Sequence, residues 1–314
     1  MRPFRDDLAR SSDAAWDAVR AALGWPESGW RLRTLARRRT PRMARTVRRA
    51  THADGMDVIV RHEPRPRRPA RHAAAFAALS RAAGAYAAHP DLALPPPLHH
   101  DPDHHATVLG YLPGTPLLDA LRRAPDRAEE LAVLAEGARW LGVLHGPGEA
   151  APLDGGTATA WVGPEVAPDV AAWLRRAAAE ATGTSARVAG LHGDPHLRNL
   201  LRRPGGGVAG IDLSGLARGA VGTDLAKLIV HHHAQSRHAP PPEPGAVVPG
   251  DALAAACAAH GGIGPEDAGL VLHLRARLAR DLWNVGQDIG RWRPEQRRTL
   301  RRLGPILAGL VSGG

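Results

Sequence analysis

The most restrictive feature of the sequence is a polar cluster between positions 190 and 212, GLHGDPHLRNLLRRPGGGVAGID. His192, Asp194, His196 and Asn199 lie close together, and Asp212 ends the stretch after a glycine run and a short apolar segment. This pattern predicts a loop, a short strand, a turn and a second strand. A carboxylate and a carboxamide would then precede one strand, and a second carboxylate would follow the next.

These side chains are suited to a particular chemistry. Asp and Asn oxygens are hard ligands that suit Mg²⁺, and the set leaves one further acid free. Phosphoryl transfer from a nucleotide uses such a set, because one acid takes the hydroxyl proton while an Asn and an Asp hold metal on the phosphates. The structural alternative is a turn whose Asp and Asn side chains cap nearby backbone groups.

The order HGDPHLRNLL followed by GID resembles the catalytic region of aminoglycoside phosphotransferases and their choline-kinase-like relatives. The resemblance implies an α+β, two-lobed protein-kinase-like fold, with a small antiparallel-sheet N-terminal lobe and a mostly helical C-terminal lobe. It also implies that Asp194 is the catalytic base and that Asn199 and Asp212 bind Mg²⁺. His192 and His196 match family histidines that brace the loop.

Two further segments resemble the same family. YLPGTPL, at 111–117, is similar to the family's hinge, so the backbone around Leu109, Tyr111 and Leu112 is expected to hydrogen-bond the purine of ATP or GTP. This implies an N-terminal lobe of residues 1–112, with the first helix and a nucleotide-covering sheet, and a C-terminal lobe of residues 113–314 with the catalytic loop and the acceptor site. Asp224, in GTDLAKL, matches a late family Asp-Leu-Ala and is expected to brace the loop. Leu213 departs from the family, which often has Trp there.

The N-terminal region has the expected order of elements. Apolar spacing predicts a helix at 6–23, and a change to period two with an Asp54-Gly55 turn predicts three antiparallel strands between 30 and 61. The family places a phosphate-binding lysine on the third strand and its glutamate partner on the next helix. Lys227 is the only lysine in this chain, so Arg61 is expected to take that position. The helix predicted at 71–85 contains no acid.

The first predicted hairpin is rich in arginine, with nine arginines and no acid between positions 28 and 53. Arg37, Arg38, Arg39 and Arg42 surround its turn and are candidates for contact with nucleotide phosphates or an anionic substrate. The alternative is a solvated arginine surface. No G-x-G-x-x-G motif distinguishes these two interpretations.

Helical periodicity dominates the second half of the chain. It predicts helices at 126–145, 168–181, 223–235, 251–260, 265–290 and 294–311. Histidines cluster at 99–105 and at 231–233, and neither group is predicted to hold a metal, because the first surrounds an exposed turn without thiolates and the second points in different directions along a helix.

Asp281 and Asp288 lie seven residues apart on one face of the helix predicted at 265–290, with Asn284 between them. They are the sequence's candidates for acceptor binding, and an amphipathic surface helix with paired charges is the alternative. Seven acids face ten arginines from position 231 onward, which argues against a heavily cationic substrate.

Composition limits the class of protein. The formal charge is +10, but an Arg-, Ala-, Gly- and Pro-rich composition is typical of GC-rich coding, and two Phe and two Tyr offer little base stacking, so nucleic acid is not an expected partner. No apolar run of about eighteen residues predicts a membrane span. The N-terminus lacks a signal-like apolar segment, and a single Cys257 excludes an internal disulfide, so a cytoplasmic protein without membrane partners is expected.

The sequence therefore predicts a Mg²⁺-dependent phosphotransferase that moves the γ-phosphate of ATP or GTP to a hydroxyl of a small molecule, such as an antibiotic or a sugar-like natural product. One alternative keeps the chemistry and takes Ser or Thr of an acidic peptide precursor as acceptor. The other, motivated by the missing lysine and glutamate, is a catalytically inactive nucleotide-binding scaffold.

Overall fold

The computed structural model describes residues 3–40, 43–66, 69–213, 217–287 and 293–313. Within these ranges the strands are β1 (Trp30–Thr40), β2 (Met43–His52), β3 (Asp57–His62), β4 (Leu92–Ala93), β5 (Pro97–Asp101), β6 (Ala106–Gly110), β7 (Thr115–Pro116), β8 (Glu149–Pro152), β9 (Ser185–Gly190), β10 (Leu200–Arg202), β11 (Val208–Gly210) and β12 (Arg218–Ala220). The helices are α1 (Pro3–Ala22), α2 (Pro69–Ala85), α3 (Leu117–Arg123), α4 (Arg127–His145), α5 (Gly155–Thr159), α6 (Pro168–Ala181), α7 (Gly222–Gln235), α8 (Gly250–His260), α9 (Ala268–Gln287) and α10 (Pro294–Ser312).

The chain divides into two compact units. Residues 1–88 and 93–113 form the sheet unit, and residues 89–92 and 114–314 form the helical unit. The predicted helices and the three predicted N-terminal strands are present. The predicted end of the long C-terminal helix at 290 lies outside the described residues.

The sheet unit is built on five antiparallel strands in the order β1-β2-β3-β6-β5. Residues of β3 alternate between partly exposed and buried, as expected for a strand with one face on a core. Val58 and Val60 of β3 and Val108 of β6 pack with Trp16 and Val19 of α1. The first helix therefore covers one face of this sheet, and β3 lies at its centre.

The helical unit carries two small sheets, ordered β4-β11-β10-β7 and β12-β9-β8. Leucines of α4 and α7, including Leu134, Leu141, Leu225 and Leu228, are fully buried. Gly142 of α4 allows a close approach to α8, because a Cβ there would lie 2.3 Å from the carbonyl oxygen of His260. No helix among the described residues is both long and apolar enough to cross a membrane.

One buried acid fixes the end of α7. The side chain of Glu130, fully buried on α4, accepts hydrogen bonds from the amides of Arg237 at 2.6 Å and His238 at 3.1 Å, and from the Ser236 hydroxyl. Burial alone would raise the pKa of Glu130, but these hydrogen bonds outweigh it and lower the pKa. Glu130 thus satisfies backbone donors that would otherwise be buried without partners.

In the described part of the chain, no group of three or more His, Cys, Asp or Glu is placed to bind an ion. His231 and His232 on α7 face different neighbours. His231 Nδ1 accepts from the Leu197 amide at 3.4 Å, and His232 Nε2 lies 2.9 Å from the Glu130 carbonyl oxygen.

Candidate active site

The loop between β9 and β10 holds Asp194 by its own backbone. Gly193 has φ +83°, a left-handed conformation that favours glycine, and it reverses the chain before Asp194. The Asp194 amide donates to His192 Nδ1 at 3.2 Å, and its carbonyl oxygen accepts from the His196 amide at 2.8 Å and from Asn199 Nδ2 at 3.0 Å. The backbone of Asp194 is therefore fixed on both sides, while its carboxylate remains 42% exposed.

Asp224, on the first turn of α7, ties this loop to the helical unit. Its carboxylate accepts the His192 amide at 2.6 Å and the Gly193 amide at 3.0 Å. Nε2 of His145 lies 3.2 Å from the same carboxylate, and His145 Nδ1 lies 2.9 Å from Nε2 of His260. Asp224 is itself buried, and it supplies the acceptor for two loop amides.

His192 and His196 take different positions in the loop. His192 is fully buried, and its ring meets the buried Trp140 of α4 edge-on, with ring centroids 5.7 Å apart. Burial lowers the pKa of His192, against the opposing effect of Asp224. His196 lies nearer the surface, with Nε2 3.7 Å from Asp194 Oδ2.

The two predicted Mg²⁺ ligands, Asn199 and Asp212, lie on either side of the β10–β11 hairpin. The Ile211 amide donates to the Asn199 carbonyl oxygen at 2.8 Å, which sets Asn199 beside the residue that precedes Asp212. Asp212 is exposed and has φ +58°, an unusual backbone for a residue with a Cβ. Close packing positions the hairpin, because a Cβ on Gly210 would lie 2.1 Å from the Trp140 ring.

This donor set fits a hard cation. Nδ2 of Asn199 is used by the Asp194 carbonyl, which leaves the amide oxygen for other contacts. No hydrogen bond to that oxygen comes from the residues that the structure describes. A carboxamide oxygen and an exposed carboxylate are the ligand types that Mg²⁺ accepts alongside phosphates and water.

The chain's single lysine contacts Asp194, which the sequence analysis did not foresee. Lys227 Nζ forms an ion pair with Asp194 Oδ1 and lies 3.4 Å from the Gly193 carbonyl oxygen. Lys227 follows Asp224 by three residues, so both side chains leave the same face of α7 toward the loop. The sequence signal that could have identified this contact is the chain's single lysine, placed one helical turn after Asp224.

The pair changes the proton affinity of both groups. Burial alone would raise the pKa of Asp194, but the hydrogen bond and charge of Lys227 outweigh it and lower the pKa, so the carboxylate is ionised at neutral pH. Burial lowers the pKa of Lys227, and the positive charge of Arg277 lowers it further, against the opposing effect of Asp194.

The predicted acceptor residues have separate environments. Asp281 is 15% exposed and forms an ion pair with Arg277 at 2.6 Å, on the preceding turn of α9. Burial raises the pKa of Asp281, while Arg277 opposes that shift. Asn284 lines a cavity of about 590 Å³ together with Lys227 and Arg277. Asp288 lies outside the described residues, as does the neighbouring Trp292.

In the sheet unit, Arg61 has an acidic partner that sequence reasoning missed. Nε and Nη2 of Arg61 donate to Glu63 Oε1 at 3.0 and 2.7 Å. Glu63 follows Arg61 by two residues, so both leave the same side of the chain at the end of β3. Arg61 thus has its acidic partner two residues along the chain, whereas α2 contains no acid.

Part of the backbone of the predicted hinge already forms hydrogen bonds within the sheet unit. Leu109 lies in β6 between β3 and β5, opposite Ile59 and Pro97. The Tyr111 amide donates to the Asp57 carbonyl oxygen at 3.0 Å, so this amide is not available to a purine. Leu112 forms no such backbone bond within the described ranges, and it is the predicted hinge residue with an amide to offer.

The arginine-rich hairpin is exposed. Arg37 and Arg38 lie on β1 with exposed side chains, and Arg38 stands opposite Arg45 of β2. The side chain of Arg39 and the whole of Arg42 lie outside the described residues. Arg49, farther from the turn, pairs with Asp57 and stacks over the Tyr111 ring at 3.7 Å.

Comparison with known structures supports the predicted fold. The chain resembles macrolide 2'-phosphotransferase MphH from Brachybacterium faecium, with a TM-score of 0.56, 20% identity and coverage of 93% of this chain and 98% of that one. It also resembles aminoglycoside 2'-phosphotransferase-IIIa in its GDP complex, with a TM-score of 0.58, 12% identity and coverage of 95% of this chain and 98% of that one. Choline kinase LicA from Streptococcus pneumoniae is similar as well, with a TM-score of 0.53, 12% identity and coverage of 95% and 99% of the two chains. The predicted two-lobed α+β kinase-like fold is confirmed.

Sequence comparison establishes the family. No curated protein sequence matches the chain significantly. The model of the phosphotransferase enzyme family matches residues 42–266, which is well over half of the chain and includes the whole stretch from Gly190 to Asp212. The predicted family is therefore confirmed: the chain belongs to the phosphotransferase enzyme family and is a phosphotransferase with an alcohol group as acceptor.

Proposed function

We propose that this protein is a Mg²⁺-dependent kinase that transfers the γ-phosphate of ATP or GTP to a hydroxyl of a small molecule. The observation that carries the proposal is the fixed loop around Asp194. Its backbone is hydrogen-bonded on both sides and its carboxylate is ionised and accessible, while the same carbonyl oxygen orients Asn199. Such a loop presents one accessible carboxylate, paired with Lys227, and one amide oxygen.

Asp194 would act on the acceptor hydroxyl. The hydroxyl oxygen forms a bond to the γ-phosphorus, the bond from that phosphorus to the β–γ bridging oxygen breaks, and the hydroxyl proton passes to the Asp194 carboxylate. Because phosphoryl transfer has a loose transition state, positioning of the hydroxyl matters more than the strength of the base. The backbone bonds of Asp194 supply that positioning.

Asn199 and Asp212 are the residues that would hold Mg²⁺. The metal, when bound, neutralises charge on the phosphate oxygens. The β10–β11 register, in which Leu200 faces Gly210, supports this assignment, because it sets the backbone of Asn199 beside Ile211, the residue before Asp212. Asp224 and the buried His192 would keep the loop in place, and His196 would flank the Asp194 carboxylate.

On the nucleotide side, we propose that Arg61 replaces the lysine that relatives use for the phosphates. A guanidinium donates to phosphate oxygens in pairs, and the ion pair with Glu63 fixes its direction. Leu112 is the proposed contact for the purine edge, supported by Leu109 in β6 and by Tyr111, whose amide bonds to Asp57 of β3. The bound GDP of the aminoglycoside 2'-phosphotransferase-IIIa structure supports a nucleotide co-substrate.

The test is nucleotide turnover with ATP and GTP across a panel of hydroxylated compounds, with and without Mg²⁺. Asp194→Asn should lower kcat by about a hundredfold to ten-thousandfold, the usual contribution of a general base. Asp169→Asn, an exposed aspartate on α6, is the matched control and should retain activity. Equal activity in Asp194→Asn would refute the mechanism. Nucleotide binding without transfer in the unmodified protein would favour the scaffold alternative.

A further inference from the structure

The cavity beside the catalytic loop has a distinct charge pattern. It measures about 590 Å³, and both Gly193 and Lys227 line it, so it opens next to the Asp194 carboxylate that Lys227 contacts. Its charged lining consists of four basic side chains and two acidic ones, namely Arg218, Lys227, Arg277, Arg280, Asp154 and Asp224.

Both acids in the lining are already used. Asp154 caps α5 by accepting the Gly156 amide at 2.9 Å and the Thr157 hydroxyl at 2.7 Å. Asp224 accepts two loop amides and contacts His145. These carboxylates thus accept hydrogen bonds from backbone and side-chain donors of the protein itself.

Three of the four cations have an acidic partner. Lys227 pairs with Asp194, Arg277 with Asp281 and Arg218 with Glu149. Arg280, one turn of α9 after Arg277, pairs with no acid among the described residues. Burial lowers the pKa of Arg280 and the neighbouring charge of Arg277 lowers it further, against the opposing effect of Asp281.

The rest of the wall suits a ligand with an apolar body. Leu153, Leu191 and Ala276 line the cavity, as does Trp161. The indole N–H of Trp161 is buried without an acceptor among the described residues. Within the described ranges it is a donor without an acceptor, and donors are what an anionic group requires.

We propose that the acceptor of this enzyme is an anionic hydroxy compound whose carboxylate or phosphate group is held by Lys227, Arg277 and Arg280 while its hydroxyl reaches Asp194. The inference rests on the proposed function for its catalytic step. Lys227 links the two parts, because it lines the cavity and contacts the catalytic carboxylate. An anion in the cavity would share Lys227 with Asp194 and relieve the repulsion between the three cations.

The single lysine allows a binding test that needs no turnover. Acetylation by acetic anhydride, followed by mass spectrometry, reports on Lys227 alone, and the α-amino group of the same chain is an internal reference. A neighbouring anion that raises the lysine pKa by about one unit slows its acetylation about tenfold. We expect glycerate or glycerol phosphate to have this effect, and glycerol and aminopropanediol to have none.

The two anions distinguish a carboxylate from a phosphate site. Protection by glycerate alone assigns a carboxylate, and protection by glycerol phosphate alone assigns a phosphate. Arg280→Gln should weaken either protection about tenfold to a hundredfold, the range for a hydrogen bond to a charged group. Arg275→Gln is the matched control, because Arg275 lies on the same helix over the Trp173 ring and does not line the cavity. Equal labelling of Lys227 with every compound would overturn the inference.

Turnover with the same compounds separates this inference from the proposed function. A preference of about tenfold or more in kcat/KM for the anionic compound over glycerol, reduced in Arg280→Gln, would support both. Transfer that depends on Asp194 but favours glycerol or aminopropanediol would overturn the anionic acceptor and leave the kinase intact. Protection of Lys227 by anions without any Asp194-dependent transfer would instead retain the anion site and reject the kinase.

Discussion

Asp194 in the helical unit and Arg61 in the sheet unit are both held by ion pairs, but the structure behind each pair differs. Asp194 pairs with Lys227, and its loop is also bonded to Asp224, so contacts across more than thirty residues fix it. Arg61 pairs with Glu63, two residues away on the same strand end. The proposed catalytic carboxylate therefore depends on the buried packing of α7, whereas the proposed phosphate contact depends on a local pair.

The largest expected effect follows from the buried histidines of the helical unit. Burial lowers the pKa of His232, His260 and His273 to about 4 and that of His233 to about 3. The unfolded chain takes up protons near pH 6.5 while the folded chain does not, so stability is lost as pH falls from about 6.5 toward 4. At pH 5.5 each histidine should cost about 1.4 kcal/mol, for a total on the order of 5 kcal/mol.

Urea unfolding followed by far-UV circular dichroism at pH 7 and pH 5.5 measures this loss. His233→Leu provides the control, since His233 is fully buried and neither ring nitrogen has a partner among the described residues. The variant should show a shallower pH dependence, by about 1.2 kcal/mol between pH 7 and pH 5.5. A free energy of unfolding that is the same at both pH values would contradict the burial of these groups in their neutral form.

The next effect concerns the brace of the catalytic loop. Asp224→Ala leaves the buried amide of His192 and the partly buried amide of Gly193 without this acceptor, and a buried donor without a partner costs about 1–3 kcal/mol. We expect a loss of about 3 kcal/mol in the free energy of unfolding together with a large loss of kcat. Asp224→Asn should be intermediate, because one amide oxygen replaces two carboxylate oxygens.

Asp169→Ala, an exposed aspartate in the same unit, is the control and should change stability little. If Asp224→Ala unfolded at the same urea concentration as the unmodified protein, the loop would not depend on α7. The long-range support of Asp194, which distinguishes it from Arg61, would then be contradicted.

The parts of the fold that follow from periodicity and spacing were predictable from the sequence. Helix and strand patterns gave the order of elements, and the HGD-x-H-x-x-N order gave the family. Asp194, Asn199 and Asp212 were candidates because few residue types suit phosphoryl transfer, and their spacing restricts the loop. These predictions needed only local sequence.

The contacts that set charge at the site were not predictable in the same way. Lys227 lies 33 residues from Asp194, and its contact depends on how α7 packs beneath the loop. Arg277 and Arg280 line the same cavity as Lys227 only because α9 lies beside α7. Glu63 lies only two residues from Arg61 in the sequence, but the family's pattern places the acidic partner on the following helix, α2. Tertiary packing supplies such partners, and a single sequence does not encode them as a pattern.

A smaller effect is expected at Arg61. If its guanidinium binds phosphates, Arg61→Ala should raise the KM for nucleotide about tenfold to a hundredfold, the range for a hydrogen bond to a charged group. Arg61→Lys should recover part of this loss, because a lysine keeps the charge and loses the paired donors. Glu63→Gln should raise KM less, since it frees the arginine without removing it. Steady-state kinetics at varied nucleotide would show this order, and an unchanged KM in Arg61→Ala would exclude the contact.

The smallest effect tests whether the arginine-rich hairpin is a binding surface or a solvated one. Arg38 is exposed on β1 and faces Arg45 directly across the hairpin. Like charges in such positions destabilise a sheet, and opposite charges stabilise it, by about 0.2–1 kcal/mol. Arg38→Glu should therefore stabilise the protein by this amount at low salt, and the gain should disappear at high salt because exposed charges are screened.

Kinetics on the same variant decide between the two interpretations. If Arg38 binds nucleotide phosphates, Arg38→Glu raises the KM for nucleotide even though it stabilises the hairpin, because a carboxylate repels phosphate. If the hairpin is solvated, stability rises and KM does not change. Arg38→Gln removes the repulsion without adding an acid, so it should give a smaller gain in stability. A loss of stability in Arg38→Glu at low salt would contradict the cross-strand repulsion, and would mean that Arg38 has an attractive partner in the folded protein.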